Sequence, residues 1–562
     1  MTAPLTDQDL RRQPFNLDEA ALAWVRETFA GLSLEAKLGQ IMLPICRDLT
    51  DEALDAVLSY GVGGLHRMPG RSEEELRRSA AYAQRQSAIP LLMPTDIEFS
   101  EKSSIGAGSP FPNQMAVAAA GDPIHAERMG ALAAREGGYL GFNVSWTPVA
   151  DLALNFRSNV VNTRAFGSNT DQVISLTRAY HAGARANGFA TCLKHWPGDG
   201  LDDRDQHFAT THNSLGMAEW RQSFGRIYAD AISNGVQMIM AGHITLKAYT
   251  AELGAAGRSP AHMPATLNSD LDFNLLRGEF GFNGVIVSDA TSMVGFSARG
   301  PRHDLVPLCI ESGCDILLFP RDMAEDLGHL EAGLASGALS ERRLDEAVLR
   351  ILALKAAMGL HESRGALPPE ASRRSRLATP EHRRWSEEVS AAAITLVKDT
   401  QGLLPLEPRR HRRILLAQLE NRMSPSGPLP RLEIDRLLTE AGFEVTPFRP
   451  GDTIDPKRFD IGLYLMAEEG VSAKENLGPR WAELHGLFPR SMERLWDYLP
   501  TLCVSLGTPF LLFHMPECRT FVNAYSAVLP VQEAMVRALT GAIPFGGRSP
   551  VDAFCGLEEA RL

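Results

Sequence analysis

The chain has 562 residues, 44% hydrophobic and 22% charged, with a formal net charge of −12 and a pI near 5.7. That length exceeds one ordinary core and predicts two domains, while the composition is that of a soluble globular protein. The acidic balance excludes the basic face that nucleic-acid binding needs, and no apolar run reaches the roughly 18 residues that would cross a membrane.

Seven cysteines (Cys46, Cys192, Cys309, Cys314, Cys503, Cys518 and Cys555) are scattered without a CxxC pair. Several sit inside apolar runs, as buried free thiols do, and a reducing compartment is expected. The opening stretch MTAPLTDQDLRRQPFNLDEA lacks the apolar centre of a secretory signal, so the cytoplasm is the expected location.

An amphipathic helical stretch covers 18–31. Short apolar runs then recur at 39–44, 63–68, 91–94, 144–149, 190–193, 236–240, 285–287 and 315–319. Segments of helical periodicity, such as 171–186 and 217–234, lie between them. Near-continuous apolar strands alternating with helices predict a parallel sheet covered on both faces. Eight such units within about 340 residues favour a (β/α)8 barrel over a doubly wound sheet.

Polar residues stand where these runs end: Asp96, Asp151, Lys194 with His195, His243, and Asp289. In a barrel the carboxyl ends of all strands share one mouth, where active sites lie. Taken singly, each reads as well as a strand terminator or a helix cap, and Asp289 could cap a helix near Ser292. Five in one chain argue for a shared site. With Lys194 across the mouth, Asp289 would stay ionised and could attack an anomeric carbon.

The segment KHWPGDGLDDRDQH, Lys194 to His207, leaves the fifth run abruptly. Pro197, Gly198 and Gly200 break regular structure, so a loop emerges from a strand end. Alone it reads as a solvated acidic turn, or as a metal site of His195, His207 and the aspartates. No HExxH or tight His/Cys set accompanies it, so no metal or cofactor is expected.

After Gly359 the composition turns Pro- and Arg-rich. Domain boundaries are expected at 1–360 for the barrel, 361–385 for a linker and 386–562 for a C-terminal α/β sandwich domain. A helix through 386–393 precedes strand candidates at 394–397, 414–418, 461–466, 502–505 and 510–515, alternating with helices such as 432–441 and 532–540.

The segments KLGQIMLPIC, GVGGLHRMPG, PLLMPTDIE, FPNQMAVAAAGD, GFNVSWTPVADL, NTRAFGSN, KHWPGDG with RDQH, MIMAGHI and PATLNSDLDFNLLRGEFGFNGVIVSDATSM together resemble glycoside hydrolase family 3. The likeness spans most of the first 360 residues and returns in AAAITLVKD and NAYSAVLPVQEAMVRALTGAIPFGGRSPV. It implies a barrel and a retaining, exo-acting β-glycosidase. By position, Asp289 corresponds to the nucleophile, and Lys194 and His195 to the pair gripping hydroxyls of the first sugar. Asp96 and Arg164 correspond to further contacts with that sugar, and His243 to a histidine lining the pocket.

The resemblance is to the bacterial β-N-acetylglucosaminidase branch, whose loop reads KHFPGHG followed by DSH. Here Asp205-Gln206-His207 keeps the Asp-x-His dyad. Imidazole, near 6.5 when unperturbed, suits acid/base work at neutral pH, with Asp205 orienting the His207 ring. Trp196 and Asp199 replace Phe and His, the loop is longer, and DIEFSEK stands where DQEGGRV is usual, which bears on the pocket floor and the sugar. Pro197 to Arg204 are expected to be a flexible connection that carries the dyad.

The expected function is removal of terminal N-acetylglucosamine by double displacement. The alternatives are β-glucosidase activity, phosphate replacing water on the same fold, a metal-dependent hydrolase, or a non-catalytic sugar-binding protein. The expected partner is a small carbohydrate, such as an N-acetylglucosaminide, a chitin oligosaccharide or a cell-wall fragment. No nucleic acid or membrane partner is expected, and a homodimer is left open.

Overall fold

The computed structural model describes residues 5–68, 70–99, 106–420, 423–424, 427–428, 431–470 and 477–562. Five parallel strands form a curled sheet in the order Val285–Ser288, Met238–Ala241, Ala190–Trp196, Val144–Ser145 and Pro94–Thr95. At one edge Leu92 bridges Gly64, and His66–Arg67 pairs with Ile45–Cys46. At the other, Val287 bridges Ile316, and Leu317–Leu318 pairs with Met42–Leu43. These pairings are parallel as well. Every residue of Ala190–Trp196, Met238–Ala241 and Val285–Ser288 is buried, as strands covered on both faces require.

Helices flank the strands and start where side-chain oxygens meet free backbone N–H groups. Asp122 caps Pro123–Tyr139, and Asn169 caps Thr170–Arg185. These two helices touch backbone to backbone. A Cβ on Gly183 would lie 1.9 Å from the Glu127 carbonyl, and one on Gly130 2.1 Å from that of Tyr180. Only glycine fits at that crossing. The helix expected over 217–234 is two, Met217–Gln222 and Phe224–Ser233, broken at Ser223. The break sets Phe224 against Gly198, where a Cβ would come within 2.1 Å of its ring.

A second sheet has the order Thr395–Asp399, Thr520–Asn523, Thr501–Ser505, Ile461–Ala467, Arg413–Glu420 and Glu444–Pro447. Its first pair is antiparallel and the rest are parallel. Alternation along Ile461–Ala467 divides its cores. Leu463 and Leu465 pack with Val531 and Met535, whereas Tyr464 and Met466 pack with Leu495 and Leu511.

One expectation fails here. The run 510–515 is not a strand: Leu511–Phe513 is a 3-10 turn, and Thr520–Asn523 takes the sheet position. Pro509 and Pro516 bracket the apolar run, and prolines cannot donate to a ladder. The expected linker, 361–385, is largely helical, with Leu360–Ser363, Arg373–Arg376 and the start of Pro380–Ala393. Thr379 caps the last of these, and Pro380 occupies its first turn.

The second sheet also braces the first part of the chain. Asn113 donates to the Tyr525 carbonyl at 2.8 Å and to Glu469 at 3.0 Å. Asn162 donates to Thr508 at 3.1 Å and begins the turn Asn162–Arg164. No helix among the described residues is long and apolar enough to cross a membrane.

Candidate active site

The strand Ala190–Trp196 runs fully buried to its end and delivers Lys194 and His195 to the mouth of the curled sheet. The peptide bonds Lys194–His195 and Trp196–Pro197 are cis. Val149 bridges Lys194, and the Ala150 N–H donates to the Lys194 carbonyl at 2.8 Å, which seats Asp151 beside His195.

Lys194 is buried and its ammonium bonds two carboxylates, Asp96 at 3.1 Å and Glu98 at 2.8 Å. Glu98 also accepts a two-pronged bond from Arg164, at 2.7 and 2.9 Å, and the third arm of Arg164 donates to the Val160 carbonyl. Burial alone would raise the Glu98 carboxyl. Arg164 and Lys194 outweigh it and hold that group below the usual carboxylate range. Asp96 is 41% exposed, so it keeps an open side toward solvent.

Glu98 was not among the expected site residues. The signal was its spacing: it lies two residues beyond Asp96, and both carboxylates reach Lys194. It also supplies what the DIEFSEK departure put at issue, a fixed floor beneath Lys194 and Arg164. Residues 100–105 of that region lie outside the described residues.

Glu98→Gln should cost about 3 kcal/mol, since it leaves two buried cations with one carboxylate fewer. The Glu98 carboxyl sits below its ordinary value of 4.5 when folded, so its stabilisation is complete above that pH and fades as pH falls further. Urea unfolding of wild type and variant should therefore differ most at neutral pH and converge in acid. A constant difference would contradict the assignment.

His195 donates from Nδ1 to Asp151 at 2.6 Å, and Asp151 also accepts the N–H groups of His195 and Asp199. The sequence placed Asp151 at a strand end without a role; its role is to orient His195. Burial pushes the Asp151 carboxyl up, but His195 and the two N–H groups hold it below the carboxylate range. Asp199, which stands where the branch has histidine, is pushed well up, first by burial and then by the Asp151 charge.

Asp289 follows Val285–Ser288, and its N–H donates to the Ala241 carbonyl at 2.8 Å. It caps no helix: the next one is Val294–Ser297, with Met293 at its N-cap. Burial raises its carboxyl, but the imidazoles of His195, His243 and His207 and the Ala290 N–H hold it below the ordinary range. Lys194, expected as its counter-charge, is instead taken up by Asp96 and Glu98.

His243 is fully buried. Its Nδ1 meets Thr266 at 3.0 Å and its Nε2 meets the Ala290 carbonyl at 3.0 Å. The resemblance implied a pocket-lining histidine. In the structure both ring nitrogens are bonded within the protein, so His243 supports the peptide after Asp289 from behind.

The dyad is assembled: His207 Nδ1 meets Asp205 at 2.6 Å, and the same oxygen accepts the His207 N–H at 2.9 Å. The ring remains partly exposed. The first half of the expected flexible connection, 197–200, is packed, whereas Asp203 and Arg204 are exposed. Residues 197–200 are buried, and Asn155 bonds the Gly200 and Leu201 backbone. The remaining acids of the metal alternative point elsewhere, Asp202 to Arg204 and His212, and Asp203 to Asn155.

Residues 33–354 match the family described as glycosyl hydrolase family 3 N terminal domain. A Cellulomonas fimi protein named β-N-acetylglucosaminidase/β-glucosidase is 37% identical over 571 positions, covering 99% of this chain and all of the relative. A solved β-glucoside phosphorylase is 33% identical with a TM-score of 0.92, covering 98% of this chain and all of that one. A β-N-acetylglucosaminidase structure from Paenibacillus sp. shares the fold, with 24% identity and a TM-score of 0.80 over 94% of this chain and all of that one.

Proposed function

The chain belongs to glycoside hydrolase family 3, and on that premise we propose that it is a retaining exo-β-glycosidase for terminal β-linked N-acetylglucosamine. The observation that carries this reading is the Asp205–His207 pair standing at the same strand-end mouth as Asp289. Asp289 attacks the anomeric carbon while His207, protonated and held by Asp205, gives its proton to the departing oxygen. In the second step His207 takes a proton from the incoming nucleophile, which displaces Asp289 from the sugar with retained configuration.

Lys194, Asp96 and the Nε2 edge of His195 hold hydroxyls of the sugar. Arg164 and Glu98 fix Lys194 rather than reach outward on their own. The short parallel pairings at both edges of the curled sheet support reading it as the (β/α)8 barrel over residues 1–360. The separate cores around the second sheet support a C-terminal domain from 386 onward, after the 361–385 connection.

A second reading has phosphate as the incoming nucleophile. An imidazole acid/base, unlike a carboxylate, does not repel an anion at that position. The likeness over nearly the whole chain to a β-glucoside phosphorylase favours it further. β-Glucosides are then substrates beside N-acetylglucosaminides, in keeping with the double name of the Cellulomonas fimi relative.

The test is turnover of the matched aryl N-acetylglucosaminide and aryl glucoside, each with and without phosphate, followed by product analysis. Free N-acetylglucosamine as the main product supports the first reading. Sugar 1-phosphate supports the second, and no turnover of either glycoside would overturn both.

A further inference from the structure

The middle residue of the dyad segment has no part in the chemistry above. Where the branch has a small serine, this chain has Gln206, and its side chain is buried. The Gln206 side-chain carbonyl accepts the backbone N–H of His243 at 2.8 Å. Its own backbone carbonyl accepts from Gly295 at 3.2 Å, and that of His207 accepts from Val294 at 3.0 Å. The Thr210 hydroxyl donates to the Gly295 carbonyl at 2.8 Å, and Thr211–His212 pairs with Ile244–Thr245. The loop is thus tied along two edges: the end of strand Met238–Ala241, and the turn that follows Asp289.

The bond between Asp205 and His207 orients the ring, but both partners ride on one loop. That bond therefore says nothing about how far the ring stands from Asp289. A separate tie must reach from the loop to an element that holds the nucleophile. His243 is that element. Its backbone N–H holds Gln206, while its ring bonds the carbonyl of Ala290, next to Asp289.

We propose that Gln206 is a positioning residue: its amide hooks the acid/base loop to the His243 strand end and so sets His207 over Asp289. This rests on the reading of His207 as the acid/base. Removing the amide orphans a buried N–H of His243 and loosens the loop's tie to that strand end, leaving its bonds to the turn after Asp289. A displacement of about 1 Å in a catalytic group costs on the order of 10²-fold in rate. Gly295 offers a second handle on the same seam. A Cβ there would lie 2.5 Å from the Gln206 carbonyl and 2.8 Å from the His243 Cβ, so Gly295→Ala moves the loop with Gln206 intact.

The experiment compares two glycosides of one sugar, one with a dinitrophenolate leaving group and one with a sugar or alkyl leaving group. Only the second needs a proton from His207 to depart. Gln206→Leu, nearly isosteric, should lower kcat/KM on the second by about 10- to 100-fold and leave the first within about twofold. Gly295→Ala should give the same pattern, and it serves alone if thermal melting shows Gln206→Leu unfolded. His207→Ala is run in parallel. If it lacks the leaving-group dependence, the acid/base reading itself falls. If it has that dependence but the Gln206 and Gly295 variants lose both substrates equally, or neither, the hook is overturned.

Discussion

Asp289→Ala should reduce turnover of aryl glycosides by about 10⁴-fold or more, on the order of 5 kcal/mol of transition-state stabilisation. The loss follows from chemistry rather than stability. Lys194 is paired with Asp96 and Glu98 rather than with Asp289, whose carboxylate accepts the neighbouring Ala290 N–H at 2.7 Å. The folded protein should therefore melt close to wild type. The surrounding imidazoles and the Ala290 N–H hold the Asp289 carboxyl below the ordinary aspartate value of 3.8, so it is ionised at neutral pH, as attack on the sugar requires. Azide added to Asp289→Ala should restore product with inverted configuration, since a small anion then occupies the vacated side of the sugar. Near-wild-type rate in Asp289→Ala without any additive would contradict the mechanism.

His207→Ala carries the second large effect, and its size depends on the leaving group. General acid catalysis contributes about 10²- to 10⁴-fold, so loss of the imidazole should cost that much on disaccharides and alkyl glycosides. On a dinitrophenyl glycoside the first step needs no proton and should proceed, with the glycosyl-enzyme then accumulating because its hydrolysis lacks a base. A burst followed by a slow steady state is the expected trace. Asp205→Asn should show a weaker form of the same behaviour, because the ring loses the carboxylate charge that favours its protonated form and its tautomer. Equal losses on all leaving groups would instead mark His207 as a binding residue.

Much of the site could be read in the sequence because its residues end buried strands. Asp289, His195 and Asp151 sit just where apolar runs stop, and eight such runs each carry a strand in the structure. What could not be read was which charge answers which. Lys194 looks in the sequence like the partner of Asp289, yet Glu98 and Asp96 hold it, across 96 and 98 positions of chain respectively, a pairing that no local pattern encodes. The family resemblance makes His243 a pocket-lining histidine. Its ring turns inward to Thr266 and Ala290, and no periodicity encodes that choice.

The loop shows the same divide. Proline and glycine mark 197–200 as irregular, and irregular chain predicts a flexible connection. In the structure Gly198 and Gly200 are glycines because Phe224 and the Leu152 carbonyl press against them. They mark close packing rather than freedom. In the second sheet, Thr520–Asn523 was hidden because its polar ends break the apolar run, while the more apolar 510–515 drew the strand assignment.

The most direct test of the double-displacement account is to trap the covalent intermediate. Wild-type protein is incubated with a fluorinated glycosyl donor whose second step is slow, digested, and sequenced by mass spectrometry. The account predicts one glycosyl unit per chain, on the Asp289 carboxylate, and none in Asp289→Ala. A label on any other residue, or continued turnover of the donor with Asp289 unlabelled, would contradict it.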